Sequence, residues 1–291
     1  MPTNKKNPIN NSIPVKLTEI QFNEFILEHL SSGSRGPECN IPLYKVFNYI
    51  MIVIYTGMQW QQLPIELNEH GIPEIHYTRI FRIYKRWAND GSLNAAFQNS
   101  VQLLSQHQLL DLSILHGDGT FTAAKKGGEN LGFSGHKHFK GEKIVAFVDR
   151  NCNVISPFTV AAGNRHESTL FDHAFDNLKN MLKNIGQSLH GLIASLDSAY
   201  DSRGNRKRIF NAGMIPNIKE NPRNRKKTKR GRKKFYDDSI FQERFNTVER
   251  VFAWEDKFKR LLLRFERISL HHLGMKLIAY TMINLRHFCP T

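Results

Sequence analysis

The sequence predicts an α/β protein with a small all-α region in front of it, on three observations. As far as about residue 109 the apolar residues recur every three or four positions, the period of a helix. Beyond Leu110 they gather into short runs bounded by Gly, Asn and Asp, as strands do. From His166 onward helical stripes alternate with apolar runs, the order of a sheet covered by helices. The expected division is therefore a helical domain over 1–109, read as DNA-binding below, and an α/β domain over 110–291.

Residues 1 to about 15 are polar and carry prolines, which predicts a loose arm. Over 41–55, Leu43, Val46, Phe47, Ile50, Met51 and Ile54 fall on one helical stripe, and Gly57 ends it. A loop holding Trp60, Leu63 and Pro64 leads to a second helix over about 74–88. Ile80, Ile83, Tyr84 and Trp87 form one face of it, and Arg79, Arg82, Lys85 and Arg86 the other. After Gly91, the residues Leu93, Phe97, Val101 and Leu104 predict a third helix to about His107. Three short helices with a cationic middle one resemble a helix-turn-helix-like module, whose basic face lies on DNA phosphates. A plain solvated helix face would use the same residues.

In the second region, strands are expected at 112–115, 143–148 and 154–160, with a polar, glycine-rich loop between the first two and a hairpin turn at 149–153. His166-Glu-Ser-Thr opens a helix whose stripe is Leu170, Phe171, Phe175, Leu178 and Leu182. The run 192–196 is apolar throughout, as in a strand covered on both faces. A short helix over 203–211 and a strand over 215–218 follow. Residues 221–235 then contain no acid and many cations, so the loop 222–234 repels itself and suits a polyanion, unless it is merely solvated. A helix from about 239 and an apolar one over 270–285 close the chain. Three strands, a helix, a strand, a helix, a strand and a closing helix make an RNase H-like mixed sheet flanked by helices.

A net charge of +15 gives the surface a field that attracts nucleic acid or an anionic membrane. The longest apolar stretch, 49–55, falls far short of the roughly 20 residues that span a bilayer. No apolar leader follows Met1, so a cytoplasmic, nucleoid-associated protein without a membrane partner is expected. Cys39, Cys152 and Cys289 are odd in number and far apart, which argues against a disulfide framework, and neither His136-x-His138 nor His271-His272 has the cysteine pair of a zinc site.

The most informative stretch is 114–121, where an apolar run ends in Gly117-Asp118-Gly119. By itself it reads as a hairpin turn, or as a carboxylate that a large ligand can approach between two glycines. Asp197 ends the fourth expected strand, a neighbour of the first in this topology. Glu249 shares a helical stripe with Phe245 and Phe252, which would turn it toward the sheet. Three carboxylates at one end of a sheet repel unless protons or cations neutralise them.

The segments His116-Gly-Asp-Gly-Thr, Val160-Ala-Ala-Gly-Asn-Arg-His-Glu-Ser, Asp197-Ser-Ala-Tyr-Asp-Ser and Val248-Glu-Arg-Val-Phe-Ala-Trp together resemble the DDE transposases of bacterial insertion sequences. Phe258-Lys-Arg-Leu-Leu-Leu-Arg-Phe-Glu-Arg continues the likeness, and Thr56-Gly-Met-Gln-Trp-Gln-Gln-Leu-Pro is similar to the signature of that family's N-terminal domain. The resemblance implies that Asp118, Asp197 and Glu249 are the catalytic and metal-binding triad, holding Mg²⁺ or Mn²⁺, as two ions. It implies cleavage of phosphodiester bonds at the ends of a mobile element and joining of the 3′-hydroxyl ends to target DNA. It also implies double-stranded DNA partners, namely terminal inverted repeats and target, and a homodimer on DNA. Tyr200, Arg250, Lys257, Lys259, Arg260 and Arg264 would touch DNA beside the basic helix.

Two positions depart from the family's pattern. Asp256 stands seven residues after the glutamate, where a lysine is usual, and Phe245 stands where an arginine is usual, with Arg244 adjacent. Two other readings compete: a remnant that binds DNA without cutting it, and a metal-dependent nuclease without strand transfer. A tyrosine recombinase, which Asn284-Leu-Arg-His-Phe brings to mind, would need a nucleophilic tyrosine further on.

Overall fold

The computed structural model describes residues 12–33, 39–156, 159–221 and 234–289. The chain forms two compact units. The first gathers residues 1–100, 257–261 and 270–291, and the second residues 101–256 and 262–269. This differs from the expected 1–109 and 110–291, because the closing helix packs in the first unit rather than on the sheet.

Within the first unit, α1 (Glu19–Phe25) starts at a reciprocal cap. The Thr18 side chain accepts from the Gln21 amide while the Gln21 side chain accepts from the Thr18 amide. α2 (Leu43–Thr56) buries Val46, Phe47, Ile50 and Ile54 as its stripe predicts, and Gly57 closes it at φ 77°. α3 (Tyr77–Asn89) buries Ile80, Ile83, Tyr84 and Trp87. α4 (Ser92–Gln106) carries the chain toward the second unit, and α9 (Ser269–Leu285) returns to the first. Gly274 of α9 lets the helices approach closely, since a Cβ there would stand 3.0 Å from side-chain atoms of Ala88, Leu93 and Tyr84. The Tyr84 hydroxyl donates to the His271 carbonyl, and Asn284 donates to the Ser100 hydroxyl at 3.0 Å.

The second unit is built on β1 (Ile114–Ala124). Among the described residues seven strands form one mixed sheet, whose main path is β2 (Gly132–Ser134), β3 (Phe139–Val148), β1, β5 (Ile193–Leu196) and β6 (Ile215–Ile218). β4 (Thr159–Ala162) pairs with β3, and β7 (Leu263–Arg264) with the far end of β1. β3 runs antiparallel to β1, while β5 and β6 run parallel, the RNase H-like arrangement. α5 (Glu167–Asn184) covers one face through Phe171, whose ring centroid lies 6.4 Å from that of Phe147 and 5.2 Å from that of Phe175. α6 (Arg203–Asn211) links β5 to β6. α7 (Asp238–Gln242) and α8 (Val248–Glu255) follow, and α8 packs on β1 and β3.

Three expectations change in the second unit. β1 runs eleven residues rather than stopping at Leu115, so Asp118 lies inside a strand and the hairpin reading of Asp118-Gly119 falls. The third strand begins at Thr159, because only Val154 of the preceding run bridges to Val148. The helix expected from 239 is broken by a 3₁₀ segment, Glu243–Asn246. The basic loop 222–234 and the first part of the N-terminal arm lie outside the described residues, apart from Lys234 and from 12–15. No helix among the described residues is long and apolar enough to cross a membrane.

Candidate active site

The register of β1 against β5 brings the two aspartates together. Gly117 pairs with Leu196 on the parallel neighbour, so Asp118 follows within β1 and Asp197 is the first residue past the end of β5. Asp197 leaves the sheet there and caps the turn 198–200, its side chain accepting from the Ala199 amide at 2.8 Å. Asp118 stays in the strand and accepts from the Gly119 amide at 2.8 Å.

Side chains alternate across a strand, and that alternation decides what surrounds Asp118. Gly117 faces α5: a Cβ there would stand 2.5 Å from the Leu196 side chain and 2.6 Å from the Phe147 ring. Its lack of a side chain therefore serves packing on the covered face, a role for Gly117 different from the expected one of opening space for a ligand. His116 and Asp118 share the opposite face, where the chain between α7 and α8 supplies Glu243 and Arg244.

Arg244 donates through Nη2 to Oδ2 of Asp118 at 2.5 Å. Its guanidinium also lies 5.2 Å from the Phe241 ring centroid. Next to it Glu243 accepts two bonds from Arg150, each 2.9 Å long. His116 Nε2 is 3.7 Å from Glu243, but burial, with Arg244 and Arg150 nearby, lowers its pKa from 6.5 to about 4. The imidazole is thus neutral at neutral pH, and the contact with Glu243 is no ion pair. The Arg150–Glu243 pair and the neutral ring of His116, whose nitrogens have no hydrogen-bond partner among the described residues, thus lie near the Arg244–Asp118 pair.

The other predicted residues are placed as follows. Glu249 is exposed, because α8 turns Val248, Val251 and Trp254 inward, and the stripe through Phe245 and Phe252 does not face the sheet: Phe245 is 63% exposed. Among the described residues no three His, Cys, Asp or Glu side chains gather into a metal-sized cluster. Tyr200 is buried, its ring 6.0 Å from Phe171, so it is no surface contact for DNA. Arg264 is buried as well, paired with Glu142 and donating to the Glu266 carbonyl at 2.9 Å, which removes it from the DNA-facing set. Arg250, Lys257 and Lys259 are exposed and Arg260 is half-buried. On α3, Arg82 is exposed, Lys85 lies 5.7 Å from the Phe81 ring centroid, Arg79 donates to Asn40 at 3.3 Å and Arg86 to the Ser31 carbonyl at 3.2 Å.

Sequence reasoning missed His116, Arg150 and Glu243, and noted Arg244 only as the neighbour of Phe245. His116 was findable, since it lies two residues before Asp118 on a strand and so on the same face. Arg244 was hidden by the 3₁₀ segment, which turns it rather than Phe245 inward; the arginine is displaced by one residue from the family's usual position.

Asp118 and Asp197 are hard oxygen donors, the type that Mg²⁺ and Mn²⁺ prefer. The Arg244 guanidinium on Asp118 is itself a stand-in for a cation, so the site is one that accommodates positive charge.

Residues 104–282 match the family model described as the transposase DDE domain. Among solved structures, the Mos1 transposase paired-end complex with left transposon end is 12% identical over 64% of this chain and 61% of its own, with a TM-score of 0.27. A pre-cleavage Mos1 transpososome is 12% identical over 87% of this chain and 79% of its own, with a TM-score of 0.28. A Mos1 mariner paired end complex with Mn is 11% identical over 64% and 61%, with a TM-score of 0.25. The chain spans about three fifths of the Mos1 chain in the first of these. No curated protein matches it in sequence.

Proposed function

Because the chain belongs to the transposase DDE domain family, its residues 104–282 lying within the match, we propose that it is a transposase of a bacterial insertion sequence that cuts DNA at the ends of its element and joins the 3′-hydroxyl ends to target DNA. The observation that supports this reading is the pairing of Gly117 with Leu196, after which Asp118 continues β1 and Asp197 follows the last residue of β5, inside the matched region. Asp118 and Asp197 would hold Mg²⁺ or Mn²⁺, and two such ions supply activation of the attacking hydroxyl and stabilisation of the leaving oxygen when bound; Glu249, exposed on α8 and not gathered with them, is the third ligand only on the strength of the family resemblance.

The protein's own groups prepare that chemistry. Backbone amides of Gly119 and Ala199 fix one oxygen of each aspartate, while the second oxygen of Asp118 is held by Arg244, which an incoming ion would have to displace. The neutral His116 beneath them adds no competing charge. In the first unit, Arg79, Arg82, Lys85 and Arg86 form the basic side of α3, a surface suited to the phosphates of duplex DNA. A homodimer synapsing two element ends would complete the working assembly.

The test is to incubate the protein with a plasmid carrying the DNA that flanks its gene, in Mg²⁺ or Mn²⁺. Cleavage at the element ends is expected for the wild type and none for Asp118→Asn or Asp197→Asn; undiminished cutting by either variant would sink the mechanism. Binding without cutting would instead identify a DNA-binding remnant, and cutting without joining of precleaved ends a nuclease.

A further inference from the structure

We infer that the cleft beside α6 is a seat for single-stranded DNA, with phosphates on Arg203 and Lys207 and a base stacked on Phe210; this rests on the DNA-acting reading above. The cleft has a volume of about 710 Å³, and α6 forms one wall. Arg203, Lys207 and Phe210 follow one another at spacings of four and three, so they share a single face of the helix. All three are exposed, Phe210 by 72%.

The charges in the cleft are unevenly committed. Asp201 is its one carboxylate, and it is taken: Arg206 donates to it at 2.7 Å, the Asn221 amide at 3.0 Å and Lys234 lies 3.4 Å away. Arg206 also donates to the Ile218 carbonyl at 2.7 Å, which fixes it as part of the wall. Arg203 and Lys207 have no acidic partner among the described residues, so their charge is available to an anion from outside.

The aromatic ring decides which polyanion. In a duplex every base face is covered by its neighbours, whereas an unpaired base offers a free face on which a phenyl ring can stack. A cation, a cation and a ring along one helical face match the backbone-then-base pattern of a single strand. Position agrees with this: the loop from Asp197 to Ser202 leads directly from the proposed site into α6.

The proposal is tested by fluorescence anisotropy of the full chain with labelled oligo(dT) and with a blunt duplex, across a salt series. Phe210→Ala is expected to weaken oligo(dT) binding about tenfold, leaving its salt slope and the duplex affinity unchanged. Replacing Arg203 and Lys207 together by Gln is expected to reduce the oligo(dT) salt slope by about 1.4, for two single-strand phosphate contacts. Replacing Lys125 and Lys126 by Gln removes the same charge elsewhere and is expected to change it less. Wild-type oligo(dT) affinity in Phe210→Ala, or equal slopes for the two double variants, overturns the cleft while leaving duplex recognition standing. A wild type that binds neither DNA overturns the underlying reading as well.

Discussion

Arg244 and Asp118 are 126 residues apart in sequence, yet the guanidinium donates to the carboxylate at 2.5 Å, with side-chain exposures of only 7% and 14%. Any cation that enters through Asp118 meets a positive charge already in place. The pair therefore links the stability of the cation-free protein to its affinity for divalent ions.

Arg244→Gln is expected to lower the stability of the cation-free protein by about 1.5–3 kcal/mol, the range for hydrogen bonds to charged groups. The same variant is expected to bind Mn²⁺ more tightly, read by titration calorimetry, with Asp118→Asn as the control that loses binding. Weaker Mn²⁺ binding by Arg244→Gln would refute the competition.

Acid should destabilise both units. His116 in one and His287 in the other have pKa values lowered from 6.5 to about 4, each first by burial and then by neighbouring arginines, Arg244 and Arg150 for His116 and Arg286 for His287. The unfolded chain takes up these protons near pH 6.5, whereas the folded chain resists until about pH 4. Stability is thus complete above the upper value and falls as pH drops through that window. Urea midpoints near neutral pH and near pH 5 measure the loss, and His287→Gln should show a smaller one. An equal loss in variant and wild type would contradict the assignment.

Glu142 and Arg264 are both fully buried and paired. Glu142→Gln leaves the arginine charge uncompensated and is expected to cost about 3–5 kcal/mol in chemical denaturation. A cost below about 1 kcal/mol, the level of an exposed pair, would mean that solvent reaches the pair.

Gly117→Ala places a methyl group against Leu196 and Phe147. The expected loss is about 1–3 kcal/mol, as for overpacked cores, and differential scanning calorimetry would read it as a lowered melting temperature. An unchanged melting temperature would show that the sheet yields freely there.

Much of the fold could be read from periodicity alone. The stripes of α2, α3 and α5 are where the spacing predicts them, and the bounds 203–211 and 215–218 coincide with α6 and β6. Short, tertiary-dependent elements escaped: β2 and β7 have three and two residues, too few for any period, and exist because β3 and β1 offer edges to pair with. β1 was cut short because Gly117 and Gly119 look like punctuation, although the backbone simply continues through them. At the site, the adjacency of the first and fourth expected strands was legible from the topology, although Asp118 proves to lie inside its strand rather than at its end. Arg244 was not, because a 3₁₀ segment shifts every side chain off the α-helical wheel.

The route of the chain has a practical consequence for dissecting the gene. Residues 257–261 belong to the helical unit, 262–269 to the sheet unit, and 270–291 to the helical unit again. A single cut after residue 109 separates α2 and α3 from α9, and a stop codon after residue 256 removes β7 together with the partner of Glu142. The frame 101–269 encloses the whole sheet unit with only five residues of the other, whereas no frame shorter than the full chain holds the helical unit complete, so truncations from either end strike the helical unit first and point substitutions are the tool that resolves its phenotypes.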